Sequence, residues 1–192
     1  EGELPVKIGA PKEIIDGENR VAMTPASARD LQKLGHDCLI ETGAGEKSGF
    51  SDAMYAEAGV KVVKTAAALW KEAEIVVKVR VPTDAEVKRL SDGQTLISFF
   101  NPGANADLMK TAADKGASVI AMEMVPRISR AQKMDALSSM ANIAGYRAVI
   151  EAGNNFGRFF TGQVTAAGKV PPAKVLVVGA GVAGLAAIGT AT

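Results

Sequence analysis

A glycine-rich run near the C-terminal end of the sequence has a regular spacing. Gly179, Gly181 and Gly184 form a G-x-G-x-x-G pattern. Ala180 and Val182 occupy two of its variable positions, and the pattern follows an apolar run and opens an alanine-rich stretch. In a strand-turn-helix of this kind the first glycine permits the turn, the second lets backbone approach a pyrophosphate, and the third allows close helix packing. The pattern predicts a dinucleotide site, and the alternative is a glycine-rich turn without a ligand.

Single histidine and cysteine residues argue against two other kinds of chemistry. With only His36 and Cys38 as soft ligands, a zinc site is poorly supported. Catalysis by a Ser-His-Asp or Cys-His arrangement would depend on that one imidazole. His36 follows Gly35 at a predicted helix end, which favours a surface cap.

The composition indicates a globular protein without the excess of basic residues that nucleic-acid binding needs. The 192 residues are 47% hydrophobic, and 22 basic residues against 21 acidic ones give a net charge of +1. Interspersed charges of this balance exclude a basic patch for nucleic acid or anionic lipid. A chain of this size can bury a large core without disulfides or a structural metal. The lone cysteine cannot form an internal bridge, which favours a reducing compartment.

Short β-branched runs alternate with helix-length amphipathic runs through most of the chain. The predicted strands are Val6–Gly9, Cys38–Thr42, Val60–Lys64, Glu74–Arg80, Thr95–Phe100 and Ser118–Glu123, and the predicted helices between them are Pro25–Leu34, Ser51–Ala58, Thr65–Ala73, Asp84–Leu90 and Asp107–Lys115. This alternation predicts an α/β fold with a doubly wound, mostly parallel sheet. Thr24 is the predicted N-cap of the first helix, with Pro25 at its first position.

The pattern changes after residue 125. A loop from Pro126 to Lys133 leads to a long predicted helix, Asp135–Phe156, whose small residues would let another element approach closely. A strand over Lys174–Val178 is then predicted to begin a new sheet. We therefore predict an N-terminal α/β domain (1–125), a loop and interdomain helix (126–168), and the first strand, turn and helix of an incomplete Rossmann-type dinucleotide-binding domain (169–192).

The two ends of the sequence carry expectations of their own. No targeting segment is recognisable at Glu1, so we expect that such a segment is either absent or already removed. Val175–Thr192 carries no charge, but its glycines argue against a membrane span. A dinucleotide site also needs an acidic residue about twenty residues beyond the glycine pattern. Because the sequence stops at Thr192, we expect a C-terminal remainder, and we expect this chain alone to be inactive.

Two longer runs carry a resemblance to a known family. Val125–Gln132, continuing through Asp135–Tyr146, and Phe159–Gln163, continuing through Ala166–Lys174, resemble the NAD(H)-binding first domain of proton-translocating nicotinamide nucleotide transhydrogenase. The likeness spans the chain from Ile8 to the glycine pattern. It implies hydride transfer between NAD(H) on this domain and NADP(H) on a separate partner domain, coupled to proton movement through a membrane domain. It further implies a homodimer at the cytoplasmic face of a bacterial inner membrane or the matrix side of the mitochondrial one.

The resemblance also assigns roles to individual residues. The family's contact loop carries an Arg, a Gln and an Asp, which match Arg127, Gln132 and Asp135 here. Gln132 would reach the incoming nucleotide of the partner domain, and Arg127 and Asp135 would fix the loop around it. The implied contacts to NAD(H) are Ile128, Ser129, Ser138 and the glycine turn at Gly179, Ala180, Gly181, Val182 and Gly184. Hydride transfer needs two aligned nicotinamides but no base or metal, which such positioning groups suit.

Simpler interpretations of the same residues remain open. Asp135 is also placed to N-cap the long helix, and the two roles are compatible. The basic side chains Arg127, Arg130 and Lys133 could form a solvated loop face.

The alternative enzyme family is alanine dehydrogenase, which resembles the same N-terminal architecture. Arg20 and Lys78 match its contacts to the substrate carboxylate. Its proton transfers, however, use a histidine where this sequence has Asn101-Pro102. Arg20 and Lys78 are therefore interpreted as retained architecture with buried ion pairing. A third alternative is a nucleotide-binding module without chemistry of its own.

Overall fold

The computed structural model describes residues 5–192, and the chain divides into two compact units. The first ends at Met124 and the second covers Val125–Thr192.

The first unit is built on a six-stranded parallel sheet. Its strands are β1 (Lys7–Ala10), β2 (Asp37–Glu41), β3 (Lys61–Val63), β4 (Ile75–Val77), β5 (Thr95–Ser98) and β6 (Ser118–Ala121). They lie in the order β3-β2-β1-β4-β5-β6. The direction of winding reverses between β1 and β4, and in open α/β sheets ligands bind outside the carboxyl ends of the strands at such a switch point.

Helices connect these strands and bury both faces of the sheet. They are α1 (Pro25–Lys33), α2 (Asp52–Glu57), α3 (Ala66–Glu72), α4 (Asp84–Val87) and α5 (Ala106–Asp114). Neighbouring residues of a strand point to opposite faces. Accordingly, Leu39 of β2 belongs to one core cluster with Val76 and Leu96, and Ile40 belongs to a second with Ile8 and Tyr55. The predicted doubly wound α/β class is confirmed.

The strands β4 and β5 are shorter than predicted, and just beyond each of them a carboxylate accepts two backbone N–H groups. Beyond β4, the N–H groups of Val79 and Arg80 donate to Glu13, at 2.5 and 3.4 Å. Beyond β5, the N–H groups of Phe100 and Asn101 donate to Glu123. Each carboxylate thus binds backbone at the carboxyl edge of the sheet, where its strand ends.

The first helix begins where the sequence predicted it. Thr24 caps α1 as predicted, since its hydroxyl accepts the N–H of Ser27, and Pro25 is the first helical residue. Gly35, which ends the helical run, has a φ of +90° that disfavours other residues.

The second unit contains the loop and the long helix. A 3₁₀ helix at Ser129–Met134 precedes α6 (Ala136–Asn155), and α7 (Val182–Ala191) follows the glycine turn. Between the two α-helices lies an antiparallel hairpin of β7 (Gln163–Thr165) and β8 (Gly168–Val170) that the sequence did not predict. Among the described residues no helix is both long and apolar enough to cross a bilayer.

The predicted strand at Lys174–Val178 is not formed. A strand exists through the hydrogen bonds of a ladder, and no segment in residues 5–192 pairs with this one. Most of its side chains are exposed, with Leu176 at 88% and Val178 at 90%, and Val177 is half-buried.

Candidate functional site

The loop between Pro126 and Asp135, hereafter the contact loop, is folded by short-range hydrogen bonds. Ile128 N–H donates to Pro126 O at 3.0 Å, and Ala131 N–H donates to Ile128 O at 2.9 Å. Ala131 is buried and anchors the 3₁₀ helix, while most of the polar side chains around it are exposed.

Five residues singled out from the sequence surround one open cavity of about 260 Å³. They are Arg127, Ile128, Ser129, Gln132 and Asp135. The 3₁₀ geometry explains the grouping, because residues three apart lie on the same side of such a helix. Ser129 and Gln132 therefore share a face, and Asp135 follows three residues later. The cavity offers a guanidinium, an amide, a hydroxyl and a carboxylate to a ligand.

Asp135 joins the contact loop to α6. Its carboxylate accepts the Ser138 backbone N–H at 3.0 Å and the Ser138 hydroxyl at 2.6 Å, so it is the N-cap of the helix. The hydrogen bond from the Ser138 side chain is the main cause that lowers the pKa of Asp135, and the charge of Arg127 acts in the same direction. The cap role is confirmed, and it supplies a fixed negative charge at the edge of the cavity.

The three glycines of the turn stand in different local surroundings. Gly179 has a φ of +106°, in the left-handed region. A Cβ at Gly184 would lie 2.0 Å from Gly179 O, so only glycine fits there. A Cβ at Gly181 would meet no atom within 4 Å, which leaves open space beside its backbone. Gly179 and Gly184 thus need to be glycine for conformational and steric reasons, and the pyrophosphate contact expected at Gly181 stays a prediction.

The N-terminus of α7 has no side-chain cap. Gly181 is the N-cap residue, and the first turn contains no acidic residue. Uncapped N–H groups and the positive end of the helix dipole favour an anion. Gly181 and Val182 are exposed, so a ligand can reach this end of the helix.

A separate cluster of charges lies in the first unit, where β1 and β4 end. The Lys78 ammonium is fully buried and lies 3.0 and 3.2 Å from the two oxygens of Glu86 and 3.4 Å from Glu13. Glu86 also accepts the Thr83 N–H in a capping box that starts α4. Lys78 is thus held in place by two buried carboxylates from different elements.

A second part of the same cluster centres on Glu18. This buried carboxylate accepts hydrogen bonds from Arg20 and Arg80, each with a shortest distance of 2.7 Å. The Arg20 side chain is the main cause that lowers the pKa of Glu18 to about 2. The same contact raises the pKa of Arg20. Together with Glu13, Glu86 and Lys78, the cluster contains three carboxylates and three cations, so its formal charges balance. The ion pairing expected for Arg20 and Lys78 is present, and it is buried at Lys78, whereas the Arg20 side chain is 46% exposed.

Asn101 stands at the carboxyl end of β5, where alanine dehydrogenases are expected to have a histidine. It has a φ of +50°, which is uncommon for a residue other than glycine. Its N–H donates to Glu123, and its carbonyl accepts the Asn105 side chain at 3.1 Å. The position therefore carries an amide, which cannot act as an acid or a base near neutral pH.

Within the first unit, His36 lies away from the charge cluster at the carboxyl edge of the sheet. It lines a cavity of about 530 Å³ at the opposite, amino edge of the sheet, together with Cys38 and Gln32. The expectation of a surface cap holds for its backbone, which donates to Leu31 O at 3.3 Å, but its Nδ1 atom is buried without a hydrogen-bond partner. Within residues 5–192 no three His, Cys, Asp or Glu side chains are grouped as metal ligands would be.

Sequence reasoning missed the carboxylates that organise the sheet edge. Glu13, Glu86 and Glu123 were not assigned a role, although all three bind groups at the ends of β4 or β5. Only Glu86 had a readable signal, the spacing Thr83-x-x-Glu86 of a capping box. Glu13 and Glu123 bind backbone groups that are distant from them in sequence, so no local pattern marks them.

Comparison with known proteins agrees with this architecture. Residues 9–144 match the family model "Alanine dehydrogenase/PNT, N-terminal domain", and residues 148–192 match the corresponding C-terminal domain model. The NAD(P) transhydrogenase subunit alpha of Cereibacter sphaeroides is 77% identical over 97% of this chain, which spans 36% of that protein.

Among solved structures, the chain is also similar to a transhydrogenase and to an alanine dehydrogenase. A transhydrogenase from Sinorhizobium meliloti has a TM-score of 0.92 at 43% identity, over 96% of this chain and 55% of that one. An L-alanine dehydrogenase has a TM-score of 0.86 at 34% identity, over 97% of this chain and 52% of that one. The chain thus spans between about a third and about half of the proteins that it matches. With both domain models matched in sequence order, the chain belongs to the alanine dehydrogenase/PNT family.

Proposed function

We propose that the chain is the NAD(H)-binding part of a proton-translocating transhydrogenase. In this function, hydride passes between NAD(H) on this chain and NADP(H) on a partner domain. The observation that carries the proposal is the single cavity lined by Arg127, Gln132 and Asp135, together with Ile128 and Ser129. The 77% identity to a transhydrogenase alpha subunit supports it.

The glycine turn fits the pyrophosphate of NAD(H). The open space at Gly181 admits a ligand against the backbone, and the uncapped amides of α7 suit its negative charge. Gly179, Ala180, Val182 and Gly184 complete the cradle. When bound, the nicotinamide supplies the hydride, so the chain needs to supply only binding and alignment.

The contact loop supplies that alignment. Gln132 is exposed, and its amide can both donate and accept hydrogen bonds, so it can contact the nucleotide of a docking partner. Asp135 is fixed by Ser138 and holds a negative charge near Arg127. Direct hydride transfer requires reacting atoms about 3 to 3.5 Å apart, so a small shift of this loop would slow it strongly. Ile128, Ser129 and Ser138 would line the nicotinamide end.

The remaining elements of the proposal concern the assembly. The proposed partners are an NADP(H)-binding domain, a membrane domain that conducts protons, and a second copy of this chain. The location follows from these partners: the cytoplasmic face of a bacterial inner membrane or the matrix side of a mitochondrial one.

The test compares hydride transfer with NADH affinity in one variant. In the complete protein that carries this chain, mixed with an NADP(H)-binding domain, Gln132→Ala should slow stopped-flow transfer from NADH to an NADP analogue about a hundredfold. The loss of one ground-state hydrogen bond should weaken NADH binding by only about 1 kcal/mol. Parallel losses that saturating NADH restores would limit Gln132 to NADH recognition. A variant with the wild-type transfer rate would refute the role proposed for it.

Alanine dehydrogenase activity is the second candidate, favoured by the position of Arg20 and Lys78 at the switch point. Two observations oppose it. The Lys78 ammonium already contacts two carboxylates, and Arg20 is bound to Glu18. Asn101 offers no proton for the chemistry of an imine. A module that binds nucleotide without chemistry is the third candidate, and it predicts NADH binding without transfer in the same assay.

A further inference from the structure

The two parts of the proposed NAD(H) site in the second unit are joined by the packing of α6 on α7, which includes a close approach of backbone at Gly145. Gly145 of α6 is buried against the first turn of α7. A Cβ at Gly145 would lie 2.0 Å from Ala183 O, 2.8 Å from its carbonyl carbon and 2.9 Å from its Cα. Ala183 lies between the second and third glycines of the turn. The backbone of the glycine turn thus rests directly on α6.

The contact leaves no room for adjustment at this point. The obstructing atoms belong to backbone rather than to a flexible side chain, so a Cβ could be accommodated only if one helix moved. One turn further along each helix, Val149 and Ala187 are buried and line a common cavity. The first turn of α7 is therefore fixed in both position and register on α6.

The other end of α6 is equally fixed, since Asp135 caps it and belongs to the contact loop. At 1.5 Å per residue, Gly145 lies about 15 Å along the helix from this cap. In the proposed function the pyrophosphate lies at the start of α7 and the nicotinamide lies at the contact loop. The α6 segment from Asp135 to Gly145 is then a rigid spacer between the two ends of one ligand.

We propose that Gly145 is a positioning residue that sets the distance between the pyrophosphate cradle and the contact loop. This inference rests on the proposed function. Gly145 touches neither end of the ligand, so it acts only through the seating of α7. Any side chain at this position must increase the 2.0 Å contact to beyond 3.0 Å, a shift of about 1 Å. Misplacement of this size costs about a hundredfold in rate when reacting atoms must align.

The test uses ligands that occupy one end or both ends of the site. ADP contains the pyrophosphate and the adenosine, whereas NADH must also reach the contact loop. In the complete protein that carries this chain, Gly145→Ala should bind ADP as the wild type does. It should bind NADH at least tenfold more weakly and transfer hydride at least tenfold more slowly at saturating NADH.

A matched control lies on the same helix. A Cβ at Gly153 would meet only Phe160 Cδ2, at 3.9 Å, which is an ordinary contact. Gly153→Ala should therefore match the wild type for ADP, NADH and transfer. If Gly145→Ala fails to fold, Val149→Ala provides the second variant. It weakens the packing of α6 against α7 by removing side-chain atoms, so it introduces no clash. It should retain ADP binding and lose transfer.

The possible results are distinct. Selective loss of NADH binding and transfer with unchanged ADP binding supports the inference. Equal behaviour of the Gly145→Ala and Gly153→Ala variants overturns it. Parallel loss of ADP and NADH binding also overturns it, because the role would then be structural only. A wild-type protein that binds ADP but transfers no hydride from NADH would refute the proposed function, and this inference with it.

Discussion

Replacing Lys78 with methionine removes a charge from the interior of the parallel sheet and keeps the length of the side chain. The Lys78 side chain is 0% exposed, and its ammonium lies within 3.4 Å of both Glu13 and Glu86. Methionine leaves these two buried carboxylates without their shared cation. We expect the first unit to be strongly destabilised for this reason.

The size of the effect follows from burial. Removal of one partner from a buried ion pair costs about 3–5 kcal/mol, because the remaining charge stays desolvated. Lys33 provides a matched control, since it pairs with Asp30 at 2.8 Å but both side chains are about three-quarters exposed. Lys33→Met should change the free energy of unfolding by no more than about 0.5 kcal/mol.

Urea unfolding monitored by tryptophan fluorescence measures both variants. Trp70 is the single tryptophan of the chain and is 1% exposed in the core of the first unit, so its emission reports unfolding of that unit. A Lys78→Met, Glu86→Gln double variant should be less destabilised than the sum of the two single variants, because one unpaired carboxylate becomes neutral. If Lys78→Met costs no more than Lys33→Met, the cluster does not hold the sheet edge as described.

Three further predictions concern the acid limit, the glycine turn and substrate choice. Glu18, with its pKa held at about 2 against an ordinary 4.5, stabilises the fold above about pH 4.5 and loses this contribution as the pH falls towards 2. Glu18→Gln should thus lower the free energy of unfolding by about 1–2 kcal/mol at pH 7, a value reduced because the two arginine partners are half exposed, and by less below pH 4. A variant whose acid unfolding profile, followed by Trp70 fluorescence, matches that of the wild type would contradict this. Gly184→Ala should lower both the melting temperature and NADH affinity, whereas Gly181→Ala should lower the affinity alone by tenfold or more; calorimetry that finds the two variants alike would refute the separate roles. Finally, the complete protein should form no NADH from L-alanine, and alanine-dependent NADH formation that Lys78→Ala abolishes would favour the second candidate function.

Local signals predicted the fold well because they depend on neighbouring residues. The Thr24 cap with Pro25, the alternation of apolar runs and the glycine spacing each correspond to structure at the predicted place. Strand ends were predicted less well, since β4 and β5 end where Glu13 and Glu123 bind the backbone. These carboxylates are distant in sequence, so no local pattern could place them.

The site could be predicted only in part for the same reason. The contact-loop residues are close in sequence, and the structure does bring them to one cavity. The seating of Gly145 on Ala183 joins residues 38 positions apart and was visible only as a preference for small residues on α6. The strand predicted at Lys174–Val178 shows the opposite case, because strong local β-propensity forms no ladder without a partner segment.

Direct transfer of a labelled hydride tests the central claim most directly. The complete protein, with NADH deuterated at the transferred position of nicotinamide C4 and an NADP(H)-binding partner domain, is followed through one turnover by mass spectrometry of the product nucleotide. If this chain aligns the two nicotinamides, the deuterium appears in the NADP-derived product without exchange into water. Loss of the label to solvent, or reduction of NADP that does not require NADH on this chain, would contradict the account.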